Sequence, residues 1–478
     1  MGPLRRGHRG TPPPFPGDLR SPFRKQDLTS EESRAMDSLR HALTRFIQEP
    51  AAQHDPPALY RRLLAEAPVL DLGRVHVVSG HSEIVTVLTH PGTVVDPTAV
   101  GLPRSGATAL ARVVARMLPM RDGADHTRLK RLATTAFSAR RLEQMRGRIT
   151  ATVDRMLQPL LSAGEFDVVA DLAVPLPVAV SCAILDIPDS EQERVTGWAR
   201  LVARSLLDDF GPAAGEQRAA DGRQPTADGR QPTADGQRIA DEQRIAELDA
   251  EFEQFRAYVE ELCAARAAAP GDDLISRLTV ARAEGRLDDQ DLLAFVVMLL
   301  ANGLETLTSG LAVAVWELLR RPGLAELLRE HPERAEAVFD EAQRLGSPVR
   351  ASARALTREV EVGGTVIPAG RVALLLYAAA NRDPRRFADP DRFDPDRAEL
   401  RHLAFGHGPH HCLGAPLSLM AGAAVLRTLA AAGATRELTT PLDEGTVRWS
   451  PQFVFGGLRE LPVRTPLREP AGAGAGRP

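Results

Sequence analysis

Apolar positions recur with the helical period over most of this chain, and only short stretches alternate with the period of a strand. The helical pattern begins near residues 38–48, returns over 81–89, and continues through 124–138 and 139–164. VVADLAVPLPVAVSCAILDIP (168–188) is apolar nearly throughout and reads as core packing material. Further helices are expected over 190–208, 240–268 and 271–286, the last opened by acidic capping residues. The most apolar long stretch, DDQDLLAFVVMLLANGLETLTSGLAVAVWELLRR (288–321), predicts one helix with a buried middle. A helix within 335–354 should stop at Ser347-Pro348, because the residue before proline is pushed out of helical geometry. An extended piece, VRASAR, follows it. Alternation marks a strand pair over 68–78 with a turn at Gly80, a hairpin within 358–384 turning at Gly363-Gly364, and another over 450–463. Residues 92–119 show no clear period. These elements imply a single, mainly α domain with small β-sheets.

Composition narrows the class. With 478 residues, a net charge of -4 and 43% apolar content, the chain can bury an extensive core and offers no case for binding nucleic acid. Aromatics are only 4%, so Leu, Val and Ala must build that core. Three cysteines, Cys182, Cys263 and Cys412, make no disulfide framework and suit a reducing cytoplasm. No apolar run approaches the ~20 residues of a membrane span. The amino terminus carries charge and proline without the apolar centre of a secretory signal. A soluble, cytoplasmic protein is therefore expected. Residues 1–35 and 466–478 read as disordered ends around a 36–465 domain. ADGRQPT occurs at 220–226 and again at 227–233, followed by ADGQRI and ADEQRI. This polar repeat lacks apolar heptad positions, so 210–245 reads as a disordered loop insertion.

Candidate chemistry centres on FGHGPHHCLG (405–414). Cys412 lies between Gly408 and Gly414 and just ahead of the helical run APLSLMAGAAVLRTLAAA. Free N–H groups and the positive end of the helix dipole favour a thiolate there. Glycines let the backbone approach something large and flat. A thiolate within reach of a macrocycle is what a haem-thiolate centre requires. Two other readings stand beside it. A lone cysteine is often a small buried hydrophobe, and His402, His407, His410 and His411 crowd Cys412 as zinc ligands would.

Phe405, Gly408, Cys412 and Gly414 fall in register with the signature of the cytochrome P-450 family, and the chain resembles its soluble bacterial members over roughly residues 60–465. The resemblance implies that fold, with haem b bound non-covalently and Cys412 as the ligand to iron. His126, Lys130, Arg354 and His410 match positions that reach the haem propionates, with Lys130 standing where Arg is usual. Gly303-Leu304-Glu305-Thr306 matches the family's central-helix motif: Gly303 leaves room for dioxygen, while Glu305 and Thr306 relay protons. Asn302 departs from the usual Ala or Gly, and Leu307 replaces a common hydroxyl residue. Glu341, Arg344 and Arg392 match a buried charge network that braces the cysteine side of the haem. Residues 92–119 match a loop over the substrate pocket, and 210–245 fall within the lid. Asn302, Val349, Arg350, Val454 and Phe455 are the expected substrate contacts. Arg350 either meets a polar or anionic group of a substrate or its carrier, or points outward.

The implied activity is that of a monooxygenase acting on a small organic molecule of secondary metabolism. Its electrons would come from a ferredoxin and ferredoxin reductase, with Arg401 and His407 placed to help docking. A monomer is expected, with no membrane or nucleic-acid partner. Oxidative coupling or desaturation on the same scaffold stays open, as do a haem-binding sensor and a zinc or structural protein. A sensor has no need of Glu305 and Thr306.

Overall fold

Packing in this protein is organised by helices that are apolar on nearly every face. A computed structural model describes residues 30–48, 56–101, 108–134, 139–210, 234–271, 273–398, 400–433, 437–443, 447–450 and 452–467. Ala415–Ala432 lies at the centre of the largest cluster, packed against the helices Ala139–Ala163, Leu304–Arg320, Pro322–Glu330 and Ala335–Gly346. A second cluster joins Pro175–Leu185, Gln192–Phe210, Ala234–Ala268, Leu274–Ala283 and Asp289–Ala301. Leu, Val, Ala and Ile dominate both, as the scarcity of aromatics requires. Val168–Leu185, Asp289–Arg320 and Ala415–Ala432 do have the length and apolarity of membrane spans, which corrects the expectation of no such run. They are interior helices: 67%, 61% and 56% of their most apolar windows are buried inside the protein. A helix surrounded by other helices carries apolar residues all round.

The strands are β1 (Val69–Asp71), β2 (Val75–Val78), β3 (Thr93–Val94), β4 (Glu165–Asp167), β5 (Ser352–Leu356), β6 (Val360–Val362), β7 (Thr365–Ile367), β8 (Val372–Leu375) and β9 (Pro462–Arg464). A five-stranded sheet runs β1-β2-β8-β5-β3, with β2 and β8 parallel and the other neighbours antiparallel. The β1–β2 turn falls at Gly73, whose φ of 86° suits glycine, and not at Gly80, which instead opens the helix His81–Thr89. Only β6 and β7 form the hairpin expected within 358–384; Gly363 and Gly364, with φ of 55° and 76°, supply its tight turn. β8 leaves to join the larger sheet. Over 450–463, Ser450 N–H donates to Gly457 O at 2.6 Å and Trp449 bridges Leu458, before β9 departs to pair with β4.

Three further boundaries differ from the sequence pattern. Residues 30–35 belong to the helix Ser30–Gln48 and not to a disordered arm. The degenerate repeat copies at 234–245 lie in the helix Ala234–Ala268, because they exchange the Pro-Thr of the parent copy for Arg, Ile, Glu and Gln. The disordered readings of 1–29, 211–233 and 468–478 lie outside the described residues. Finally, the 288–321 run is two helices, Asp289–Ala301 and Leu304–Arg320, broken at Asn302–Gly303. Asn and Gly are poor helix formers, and Thr306 Oγ1 turns back to Asn302 O at 3.4 Å.

A fully buried ion pair ties the helix Ala335–Gly346 to the proline-rich meander after it. Arg344 donates from Nε and Nη2 to Glu341 at 2.8 Å each, with both side chains at 0% exposure. Arg344 also reaches Asn381 O and Pro390 O at 2.7 Å and Arg392 O at 3.1 Å. The third charged partner is Arg397, whose Nε lies 3.2 Å from Glu341, and not Arg392. Arg392 contributes its carbonyl, and its side chain is exposed. Breaking a buried pair from one side strands a charge. Arg344→Ala or Glu341→Gln should therefore cost about 3–5 kcal/mol in unfolding measurements. Arg397→Ala should cost less, and Arg392→Ala should stay within about 0.5 kcal/mol of the parent.

Candidate active site

The meander delivers the cysteine loop. Asn381, buried against Arg344, accepts from Leu403 N–H at 2.6 Å and donates to Ser347 Oγ at 2.9 Å. Two residues on, Phe405 O accepts the Cys412 N–H at 2.9 Å. Gly406 and Gly408, with φ of 70° and 69°, turn the chain between them, and a Cβ on Gly408 would press to 3.3 Å from Leu88 O. Cys412 itself is exposed. Enough protein surrounds its sulfur that desolvation raises the thiol pKa, while the N–H groups of Gly414 and Ala415 and the charge of Lys130 pull it down. Leu413 packs against the second hydrophobic cluster.

At the break, half-buried positions stand out from a buried run. Leu299, Asn302, Gly303 and Thr306 share the spacing of one helix face. A Cβ on Gly303 would meet nothing within 4 Å, and Asn302 Oδ1 is buried with no hydrogen-bond partner. Glu305 is held above the usual carboxylate range by burial.

The expected propionate contacts are partly brought together. The His126 and His410 rings lie together, tilted by 34° with centroids 4.2 Å apart. Burial, then the charges of His410 and Lys130, push the His126 pKa down to about 4. His410 Nε2 lies 3.4 Å from Asp122. Burial opposes the Asp122 charge, but His410 and the N–H groups of Val95 and Asp96 outweigh it and keep its pKa low. Lys130 Nζ donates to Pro409 O and, at 3.2 Å, to His411 O, so it clasps the cysteine loop. Arg354 is buried on β5, bonded to Ser352 Oγ at 3.0 Å and Ala353 O at 2.7 Å. Sequence reasoning missed Asp122, Asn381 and Arg397; single polar residues in irregular segments carry no periodic signal. His402 is taken by Asp340 at 2.9 Å, and among the described residues no three His, Cys, Asp or Glu side chains converge as a metal cluster would.

Val349 forms an isolated bridge with Phe455, so the two share a local face. Arg350 is corrected most sharply. It does not point outward: it is 5% exposed, and its Nη1 reaches Gln452 O at 3.3 Å and Ser450 O at 3.5 Å.

Comparison with known proteins fits this geometry. The cytochrome P-450 family model matches residues 240–429. Cytochrome P-450 107B1 of Saccharopolyspora erythraea is 34% identical over 346 residues, covering 72% of this chain and 76% of that protein. The chain belongs to the cytochrome P-450 family. Erythromycin C-12 hydroxylase of the same organism is 33% identical over 80% of this chain and 87% of its own. The crystal structure of P450BioI, in complex with acyl carrier protein ligated to hexadec-9Z-enoic acid, aligns with a TM-score of 0.71 at 28% identity, covering 86% of this chain and 98% of that one.

Cytochromes P-450 are monooxygenases that bind haem b and draw electrons from redox partners, and this chain is one of them. Its residues fit the group. A sulfur with two N–H donors can hold iron as thiolate. His126, Lys130, Arg354 and His410 carry donors that would suit propionates, and Gly303 leaves open space that would accept a flat macrocycle. Cys412→Ser should abolish the red-shifted Soret band of the reduced carbonyl complex, and a visible spectrum checks this directly.

Proposed function

We propose that this cytochrome P-450 inserts one atom of dioxygen into a small secondary metabolite by hydroxylation or epoxidation. The observation that carries this reading is an accessible Cys412 in the signature loop, together with an acid and a hydroxyl at a break in a buried helix. In the balanced reaction R–H, dioxygen, two electrons and two protons give R–OH and water. When bound, haem supplies dioxygen binding and O–O cleavage, favoured by electron density from its thiolate ligand. The chain's own residues handle the protons. Burial raises the Glu305 pKa, which favours its protonated form and suits a proton donor. Thr306 Oγ1 lies against Asn302 O at the break, where the local helical ladder is open and a water can be held. Glu305 and Thr306 also disfavour the sensor reading, which requires no proton path.

Support for the substrate class comes from the erythromycin C-12 hydroxylase relative, whose name points to a macrolide. A carrier-bound substrate is supported by the acyl carrier protein in the P450BioI complex. A ferredoxin with its reductase would supply the electrons to a monomeric, cytoplasmic enzyme. Buried Cys182 and Cys263 are free thiols, which suits a reducing compartment.

The direct test is a spectral binding screen of macrolides, terpenoids, aromatic amino-acid derivatives and carrier-bound acyl groups, followed by turnover with ferredoxin and reductase. Oxygenated product from a binder supports the proposal. A colourless protein, or turnover without incorporation of oxygen, overturns it.

Glu305 also yields a signed pH prediction. Its folded-state pKa lies above the unfolded value, so the folded state binds more protons between the two and stability falls as pH rises through that window. Glu305→Gln removes this cost. Its thermal midpoint should gain more over the parent at about pH 8 than at about pH 4, while product formed per electron pair should drop.

A further inference from the structure

Arg350 is a buried cation that donates to backbone carbonyls. Those carbonyls belong to one loop. Besides Ser450 O and Gln452 O, the Arg350 N–H donates to Val454 O at 2.8 Å. The loop returns a bond from Gly456 N–H to Pro348 O at 3.0 Å. Gly456 lies flat against the guanidinium, so a Cβ there would overlap Arg350 Nε. From the other side, the buried Ser309 hydroxyl donates to Gly456 O. A Cβ on Gly457, whose φ is 153°, would meet Ser309 Oγ at 2.6 Å. Ser309 lies one turn beyond Glu305 and Thr306 on the helix Leu304–Arg320. The loop is therefore clamped between the helix of the proton-handling residues and the chain that leads into β5.

Two residues at its tip, Val454 and Phe455, stay half-buried between the buried Phe453 and Gly456. We infer that Arg350 and Ser309 are positioning residues that fix the 452–457 tip against the substrate space and so set its specificity. The inference rests on the reading above that Val454 and Phe455 border that space. Energetics favour a clamp over a surface ornament. Burying a guanidinium is costly, and burial lowers the Arg350 pKa. The two loop carbonyls that accept from the guanidinium, Ser450 O and Gln452 O, offset that cost only while the loop stays in place. An anionic substrate group is not needed to explain the residue.

The test uses two iron-binding probes of different size on the haem-loaded protein. Imidazole reports the iron site alone, since its nitrogen is a good iron ligand. Econazole, an imidazole carrying two chlorinated rings, must also pack against the pocket wall. Affinities come from the visible spectral shift. Phe455→Ala should weaken econazole about tenfold and leave imidazole within about twofold. Arg350→Met should do the same, Ser309→Ala should weaken econazole about threefold, and Arg350→Lys should recover part of the loss. Should Arg350→Met fail to load haem, Ser309→Ala and Arg350→Lys decide. Unchanged econazole affinity in the Arg350 and Ser309 variants, with a loss in Phe455→Ala, overturns the inference and leaves the pocket reading standing. No effect in Phe455→Ala, or a wild type that takes imidazole and not econazole, overturns the pocket reading beneath it. Equal loss of both probes marks general damage and overturns the positioning role.

Discussion

A guanidinium with no access to water decides where the cysteine loop sits. Arg344 spends every donor on a fixed partner: two on Glu341 and the others on the carbonyls of Asn381, Pro390 and Arg392. Those carbonyls span a stretch with no regular hydrogen-bond ladder of its own. Without an internal donor they would need water, so the meander can be dry only where Arg344 and Arg397 reach. Asn381 then passes the constraint on: its backbone is held by Arg344 and its side chain holds Leu403 N–H. From Leu403 it is a short step to Phe405 O, which receives the Cys412 N–H. The thiol is thus placed by a relay of polar contacts across an otherwise apolar core.

How much of this was legible beforehand depends on the kind of constraint. Periodic burial showed: the interior helices, the β6–β7 turn at paired glycines and the helix end before Pro348 follow from spacing and from the conformations Gly and Pro allow. The Glu341–Arg344 pair showed as well, through spacing on a helix. Arg397 did not, because Arg392 and Arg397 sit in similar acidic, proline-rich surroundings and only the path of the meander selects one fork over the other. The helix break was half visible. Asn302 and Gly303 are poor formers in an apolar run, yet a buried run of this kind is usually continuous and the pattern on either side stays in phase. Arg350 could not be placed at all by local reasoning, since its partners lie a hundred residues away. The apolar runs were under-read for a related reason: a helix enclosed by protein and a helix enclosed by lipid face the same demand.

Two glutamates show how environment, and not residue type, assigns roles here. Glu341 is fully buried and receives Arg344, Arg397 and the Asp394 N–H at 2.9 Å. With its oxygens occupied by donors, it braces the meander. Glu305 is also largely out of water, but burial shifts it upward with no neighbouring charge among the causes. A carboxyl so placed costs stability when ionised. In the proposed function, a proton donor placed without a guanidinium alongside would be able to take up and release its proton. Placing an arginine within reach of Glu305 would stabilise its ionised form and lower its pKa. The broken helix, the poor formers at Asn302 and Gly303, and the unpaired acid are then one arrangement. A continuous helix of stronger formers would fill the open space beside Gly303 and close the ladder at Asn302.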